Sequence, residues 1–139
     1  MPTSARHLIF HAAIVLLFGL LLGAPYGRAI KRGAAAHVVN SWRVAHLSLP
    51  IGATLMLATA PLLASLAVTE AVKWTIVVTL VLSAYGFCVA TPLAAITGER
   101  GLSAGGTGLG RLVYLGNWMG AFFSIASAAV FLYAAFVSL

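Results

Sequence analysis

The chain has 139 residues, of which 62% are hydrophobic and only 7% charged. A soluble domain carries about 25% charged residues, so this chain cannot clothe a water-facing surface, and residues 1–139 read as one integral membrane domain. The net charge of +6 sits between apolar runs, which points to membrane topology and contact with anionic lipid, and away from nucleic acid.

Four long apolar runs follow in order: about His7 to Pro25, Trp42 to Val68, Ala71 to Ile96, and Leu112 to Val137. Each reaches or approaches the ~20 residues that cross a bilayer. No period-2 alternation suggests a membrane barrel. The expected architecture is all-α, a four-transmembrane-helix bundle, and the expected setting is the bacterial inner membrane. The first run has a basic start and an apolar middle, as a signal peptide would. Its Gly19-Leu20-Leu21-Leu22-Gly23 is a helix-packing pattern and three more spans follow, so a retained helix is expected. Cys88 is the sole cysteine and lies in an apolar run. It forms no intrachain disulfide and leaves the redox compartment open.

The connections differ in kind. The first, about Tyr26 to Ser41, is long and basic, with Arg28, Lys31, Arg32 and His37. The second is a tight turn around Thr69 and Glu70. The third, about Thr97 to Arg111, is glycine-rich but has no Gly-Lys-Ser/Thr ending, so it is no phosphate loop. The side with the first and third connections holds Arg28, Lys31, Arg32, Arg43, Arg100 and Arg111, six of the eight basic residues. The positive-inside rule places that side in the cytoplasm and both termini outside, although Arg6 and the amino terminus pull the other way.

Where the first connection enters the second run, the sequence reads Ser41-Trp42-Arg43-Val44-Ala45-His46-Leu47-Ser48-Leu49-Pro50. Asn40 or Ser41 is suited to cap the helix start, which sets His46 about 6 Å inside it. Pro50 lacks an N–H, so the His46 carbonyl loses its helical partner and the helix should loosen beside the imidazole. A polar ring at membrane depth needs a partner. His46 is therefore either a ligand or a histidine bonded to a neighbouring helix.

Other polar residues lie within the spans. His7 and His11 share a helix face; that spacing suits a metal pair, but no carboxylate or cysteine is near in sequence, so inter-helix hydrogen bonds are favoured. Tyr85 and Cys88 share a face of the third run, with Thr91 one turn on. Asn117 stands in Gly116-Asn117-Trp118-Met119-Gly120, a Gly-xxx-Gly packing motif. There it either bonds across the helix contact or lines a pocket. Glu70 and Glu99 are the only carboxylates and fall on opposite sides of the membrane. This excludes a paired-carboxylate mechanism within one subunit and leaves no buried acid for proton pumping. With so few ionisable groups, a bound metal cofactor can supply the missing Lewis acid, the protein contributing one ligand and a shaped apolar pocket.

Several short patterns recur in order. The first run has Arg6, His11, Leu16-Leu17-Phe18-Gly19 and Gly23, and the second has Trp42-x-x-Ala45-His46 with Pro50 close behind. Tyr85-Gly86-Phe87, Leu93-Ala94-Ala95 and Arg100-Gly101-Leu102-Ser103 follow, with glycines after them. In order and spacing this series, over most of the chain, resembles the small membrane isomerases that include styrene oxide isomerase and hydroxylaminobenzene mutase. The resemblance implies a homotrimer of four-helix bundles with haem b at each subunit interface. It makes His46 the axial iron ligand. It implies that ferric iron acts as a Lewis acid on an epoxide oxygen, giving an aldehyde without net redox change. In the mutase relative, oxygen moves within an arylhydroxylamine to give an aminophenol.

The chain also departs from those relatives. Gly52 stands where the epoxide isomerase has an asparagine, Cys88 where it has a tyrosine, and Leu80 near its aspartate. The mutase branch has an acidic residue where Leu47 and Ser48 stand. Tyr85 and Asn117 are the expected substitutes, Tyr85 to orient substrate or stabilise charge and Asn117 to fix its oxygen. Arg28, Arg32 and Arg43 are candidates to pair with haem propionates, or serve only as topology signals, and His37 is the alternative iron ligand. The expected function is a haem-dependent isomerase of a small apolar, aromatic epoxide or arylhydroxylamine that enters from the membrane. The alternative is a non-enzymatic haem-binding or electron-transfer protein. Electron transfer is favoured by two axial ligands, and no second histidine is expected at the depth of His46.

Overall fold

The structure, a computed structural model, describes residues 1–104 and 108–139. Gly105, Gly106 and Thr107, part of the glycine-rich third connection, lie outside the described residues. Every regular element among the described residues is a helix: α1 (Thr3–Leu21), α2 (Gly23–Lys31), α3 (Ala36–Leu62), α4 (Glu70–Thr97) and α5 (Gly108–Val137). Taken together, α1 and α2 form the first of four spans, Thr3–Lys31. The spans hold 27 to 30 residues, about 40 Å or more of helix against a hydrocarbon layer of about 30 Å. The protein is an integral membrane protein, and its helices are long enough to span the hydrocarbon layer with some tilt.

The helices overrun several expected boundaries. Pro25 was expected to end the first span, yet α2 continues to Lys31. Pro25 is the third residue of α2, where backbone N–H groups lack helical partners anyway. Its missing donor leaves the Leu21 carbonyl without its partner four residues on, beside Leu22, where α1 gives way to α2. The expected cap by Asn40 or Ser41 is not formed. Helix α3 starts at Ala36 with no side-chain cap, and Ser41 Oγ donates within the helix to the His37 carbonyl. His46 is therefore ten residues from the start of α3, about 15 Å rather than 6 Å. At the other end α3 stops at Leu62, six residues before Val68. Fully buried Leu63 plugs the core there, and Ser65 Oγ donates to the Leu62 carbonyl.

Helix α4 is the centre of the bundle, packing against α1, α3 and α5. Among the described residues α3 and α5 do not pack against each other, which leaves a groove between them. The α4–α5 contact uses the glycines read from sequence. A Cβ on Gly86 would lie 2.8 Å from the Gly116 oxygen, and one on Gly120 would lie 2.7 Å from the Phe87 ring. Ser83 Oγ donates to the Gly120 carbonyl (2.7 Å) and Ser127 Oγ to the Ile76 carbonyl (3.3 Å). Such contacts replace the hydrophobic drive that lipid cannot supply between helices. Gly98, with φ of +74°, ends α4 in the left-handed region, and Gly101 folds the chain back onto Val113 and Tyr114 of α5. His7 meets Trp74 at one end of the bundle, while His37 and Arg100 line one cavity at the other.

Candidate functional site

His46 faces α1, not the groove. Its Nδ1 lies 2.9 Å from the Gly19 carbonyl oxygen. A carbonyl only accepts, so Nδ1 carries the proton and donates it. A neutral ring then presents the lone pair of Nε2, the arrangement that orients a histidine for a metal. The half-buried ring stacks on Tyr26, with centroids 6.0 Å apart and planes 29° apart. It rests against Gly23, whose missing Cβ would stand 3.1 Å from Cε1. A second glycine makes this approach possible: a Cβ on Gly19 would lie 2.5 Å from Pro50 Cδ. The Gly19-xxx-Gly23 pattern thus seats Pro50 and His46 in successive turns. Among the described residues no three His, Cys, Asp or Glu side chains are grouped to hold a bare metal ion. His46 Nε2 is a single nitrogen donor with no hydrogen bond of its own among the described residues, which is the kind of ligand a haem would take from the protein.

The groove between α3 and α5 forms a cleft of about 400 Å³. Leu49, Leu55, Met56, Leu80 and Phe87 line its apolar walls, Gly52 and Ser48 one side, and Asn117 its upper end. Above it lies a second, polar cavity lined by His37, Asn40, Ser41, Glu99, Arg100 and Asn117.

A family model described as styrene oxide isomerase matches residues 4–136. The chain belongs to the styrene oxide isomerase family. No curated protein matches it.

Within this family member, the positions that sequence comparison singled out divide between two regions. Gly52 and Leu80 line the cleft, so two of the named polar losses fall on one wall system. Cys88 does not join them; it packs with Val15, Leu22, Ala45 and Leu49 between α1 and α3. Asn117 lines the cleft, with Nδ2 donating to the Arg100 carbonyl at 3.4 Å rather than across the α4–α5 contact. Tyr85 is elsewhere: its hydroxyl bonds His11 Nδ1 at 2.9 Å, and the rings meet edge to face. His11 is eight residues before Gly19, about 12 Å along α1. Tyr85, Asn117 and His46 are thus not brought together within one subunit. The His11–Tyr85 bond is the inter-helix hydrogen bond preferred over a His7–His11 metal pair.

The basic candidates separate similarly. Arg43 stands one turn above His46 on the same side of α3 and donates to Asn40 Oδ1 at 2.6 Å. Arg28 and Arg32 are exposed at the end of α2. His37 is exposed at the polar cavity, nine residues from His46, about 14 Å along the helix. Sequence reasoning did not find the Gly19 carbonyl or the Tyr26 stack. The Gly-xxx-Gly spacing was their only trace, because backbone acceptors carry no residue signature.

Proposed function

We propose that the protein is a membrane isomerase that holds haem b through His46 and rearranges a small apolar, aromatic epoxide or arylhydroxylamine. The observation that carries this reading is the His46–Gly19 bond, which fixes the tautomer with Nε2 as the free ligand atom. When bound, a ferric haem supplies a Lewis acid that polarises a C–O or N–O bond. The chain does the rest. Gly23 and Tyr26 hold the imidazole plane. Arg43, one turn nearer the membrane surface, is better placed than Arg28 or Arg32 to meet a propionate. The apolar cleft excludes water from the substrate, and Asn117 offers its amide oxygen at the upper end. Polar contacts count for more where water is excluded.

His46 and the cleft occupy faces of α3 about 140° apart at ~100° per residue. In one subunit they look away from each other. An assembly of identical chains, each giving His46 to the cleft of the next, would bring them together; the homotrimer that the family resemblance implies is one such ring. Tyr85 would then act only if the neighbouring copy brings substrate to α1 and α4. The electron-transfer alternative needs a second axial ligand at the depth of His46. His11 is engaged by Tyr85 some 12 Å away, which favours chemistry. The membrane is proposed to be the bacterial inner membrane, with the polar cavity on the cytoplasmic side.

The test is to incubate haem-loaded protein in nanodiscs with styrene oxide and, separately, with hydroxylaminobenzene. Formation of phenylacetaldehyde or an aminophenol without added reductant, lost in His46→Ala, supports the reading. A haem protein with two axial protein ligands and no turnover of either would instead favour electron transfer.

A further inference from the structure

A second cluster of polar side chains lies at the opposite end of the bundle from the polar cavity. Thr3, Arg6, His7, Phe10 and His11 of α1 line a cavity of about 580 Å³, within the 300–1,000 Å³ usual for ligand sites. Arg6 directs one N–H to Thr3 Oγ at 3.1 Å and forms no ion pair among the described residues. Glu70, the one acidic side chain at this end among the described residues, pairs with Lys73 at 3.3 Å. His7 has no hydrogen bond among the described residues, and its ring centroid lies 5.2 Å from that of Trp74. His11 Nδ1 lies 2.9 Å from the Tyr85 hydroxyl, which has no other acceptor among the described residues. The phenol therefore donates, and a neutral His11 carries its proton on Nε2. The cavity thus offers one permanent cation and two imidazole donors, with no carboxylate to answer them.

These groups are ordered by depth. Trp74, against His7, is a residue type that collects at the membrane–water interface. His11 lies five residues beyond Arg6, about 7.5 Å further along α1. Below the cavity Phe10, Ile14, Leu17 and Leu21 form one exposed apolar stripe at helical spacing. The sequence of cation, imidazole and hydrocarbon surface is that of phosphate, glycerol ester and acyl chain in a phospholipid.

We propose that this cavity binds an anionic phospholipid, with phosphate oxygens on Arg6 and His7, an ester carbonyl on His11 and an acyl chain along Phe10, Ile14 and Leu17. Arginine presents paired donors that match phosphate. A soluble phosphate leaves the apolar stripe unused. A zwitterionic lipid brings its own cation and leaves the charge of Arg6 unanswered. The site is independent of the isomerase reading.

Quenching of Trp74 fluorescence tests it. With Trp42→Phe and Trp118→Phe, Trp74 is the only indole in the full-length chain. The protein is reconstituted in phosphatidylcholine bilayers containing a minor fraction of lipid with a nitroxide near the head of one acyl chain. That lipid is either phosphatidylglycerol or phosphatidylcholine. The phosphatidylglycerol probe should quench Trp74 at least twofold more. Arg6→Gln keeps a hydrogen-bond donor but removes the charge, and should bring the two probes level. Arg28→Gln with Arg32→Gln removes two charges from the other end and should leave the difference intact. Millimolar inorganic phosphate should not displace the probe. Equal quenching by the two probes in the Arg6 protein, or an undiminished difference in Arg6→Gln, overturns the proposal. Loss of the difference in the Arg28→Gln, Arg32→Gln protein would mean diffuse attraction by net charge and overturns the site. Displacement by inorganic phosphate overturns the lipid as its ligand.

Discussion

The carbonyl oxygen of Gly19 accepts a hydrogen bond from His46 Nδ1 over 2.9 Å, and the backbone of α1 comes that close to α3 because residue 19 has no side chain. A Cβ there would stand 2.5 Å from Pro50 Cδ and 2.9 Å from Leu49 Cβ. The helix contact and the orientation of the imidazole are therefore one feature.

Gly19→Ala should force α1 and α3 apart. Overpacking costs about 1–3 kcal/mol, partly offset by up to about 1 kcal/mol from the better helix former. Thermal melting in detergent should show the loss, and the absorption of haem-loaded protein should shift as His46 loses its carbonyl partner. A variant with wild-type melting and an unchanged spectrum would separate the two.

The glycines of the bundle should not be equivalent. Gly86→Ala meets the Gly116 oxygen at 2.8 Å and the Gly120 nitrogen at 2.9 Å, whereas Gly52→Ala meets nothing within 4 Å. The first is expected to destabilise by about 1–3 kcal/mol. The second should be neutral or stabilising by up to about 1 kcal/mol. Unfolding midpoints in mixed micelles compare them, and similar losses at both would contradict the packing described.

Tyr85→Phe and His11→Phe each remove one end of a hydrogen bond between α1 and α4. Each should cost about 0.5–1.5 kcal/mol, and the double variant should cost less than the sum, because the partners share one interaction. The haem spectrum should stay unchanged in all three. Strict additivity in the double-mutant cycle would mean that the pair does not interact.

Both chain termini and the turn before α4 belong to one end of the bundle, and His37 and Arg100 to the other. Single cysteines at Ser103 and Glu70, in a Cys88→Ala background, should be labelled by an impermeant maleimide from opposite sides of sealed vesicles. Labelling of both from one side contradicts four spans.

The fold was legible because its signals are periodic and redundant. Runs of about 20 apolar residues announce spans, and Gly116-xxx-Gly120 announces a close helix pair. Single-residue punctuation misled. Pro25 reads as a stop, but near the start of α2 it removes no helical bond of its own segment. Asn40 and Ser41 read as caps, but Ala34-Ala35-Ala36 allows α3 to begin earlier with no side-chain cap. The site was half legible. His46 stands out as an imidazole in an apolar run and Asn117 as an amide beside a glycine contact. The cleft between α3 and α5 has no sequence mark, since it arises from two helices failing to meet. The His11 partner of Tyr85 was not legible, because residues on α4 face α1 or the cleft according to a register that only the packed bundle fixes.

The central claim, that His46 is the iron ligand, is tested most directly by the absorption spectrum of purified protein after haem addition, wild type beside His46→Ala. The wild type should show a Soret band that shifts on reduction. His46→Ala should lose that band while the protein stays folded, since the ring's only hydrogen bond in the described structure is to one carbonyl. A Soret band of unchanged position and intensity in His46→Ala would contradict the claim and direct attention to His37.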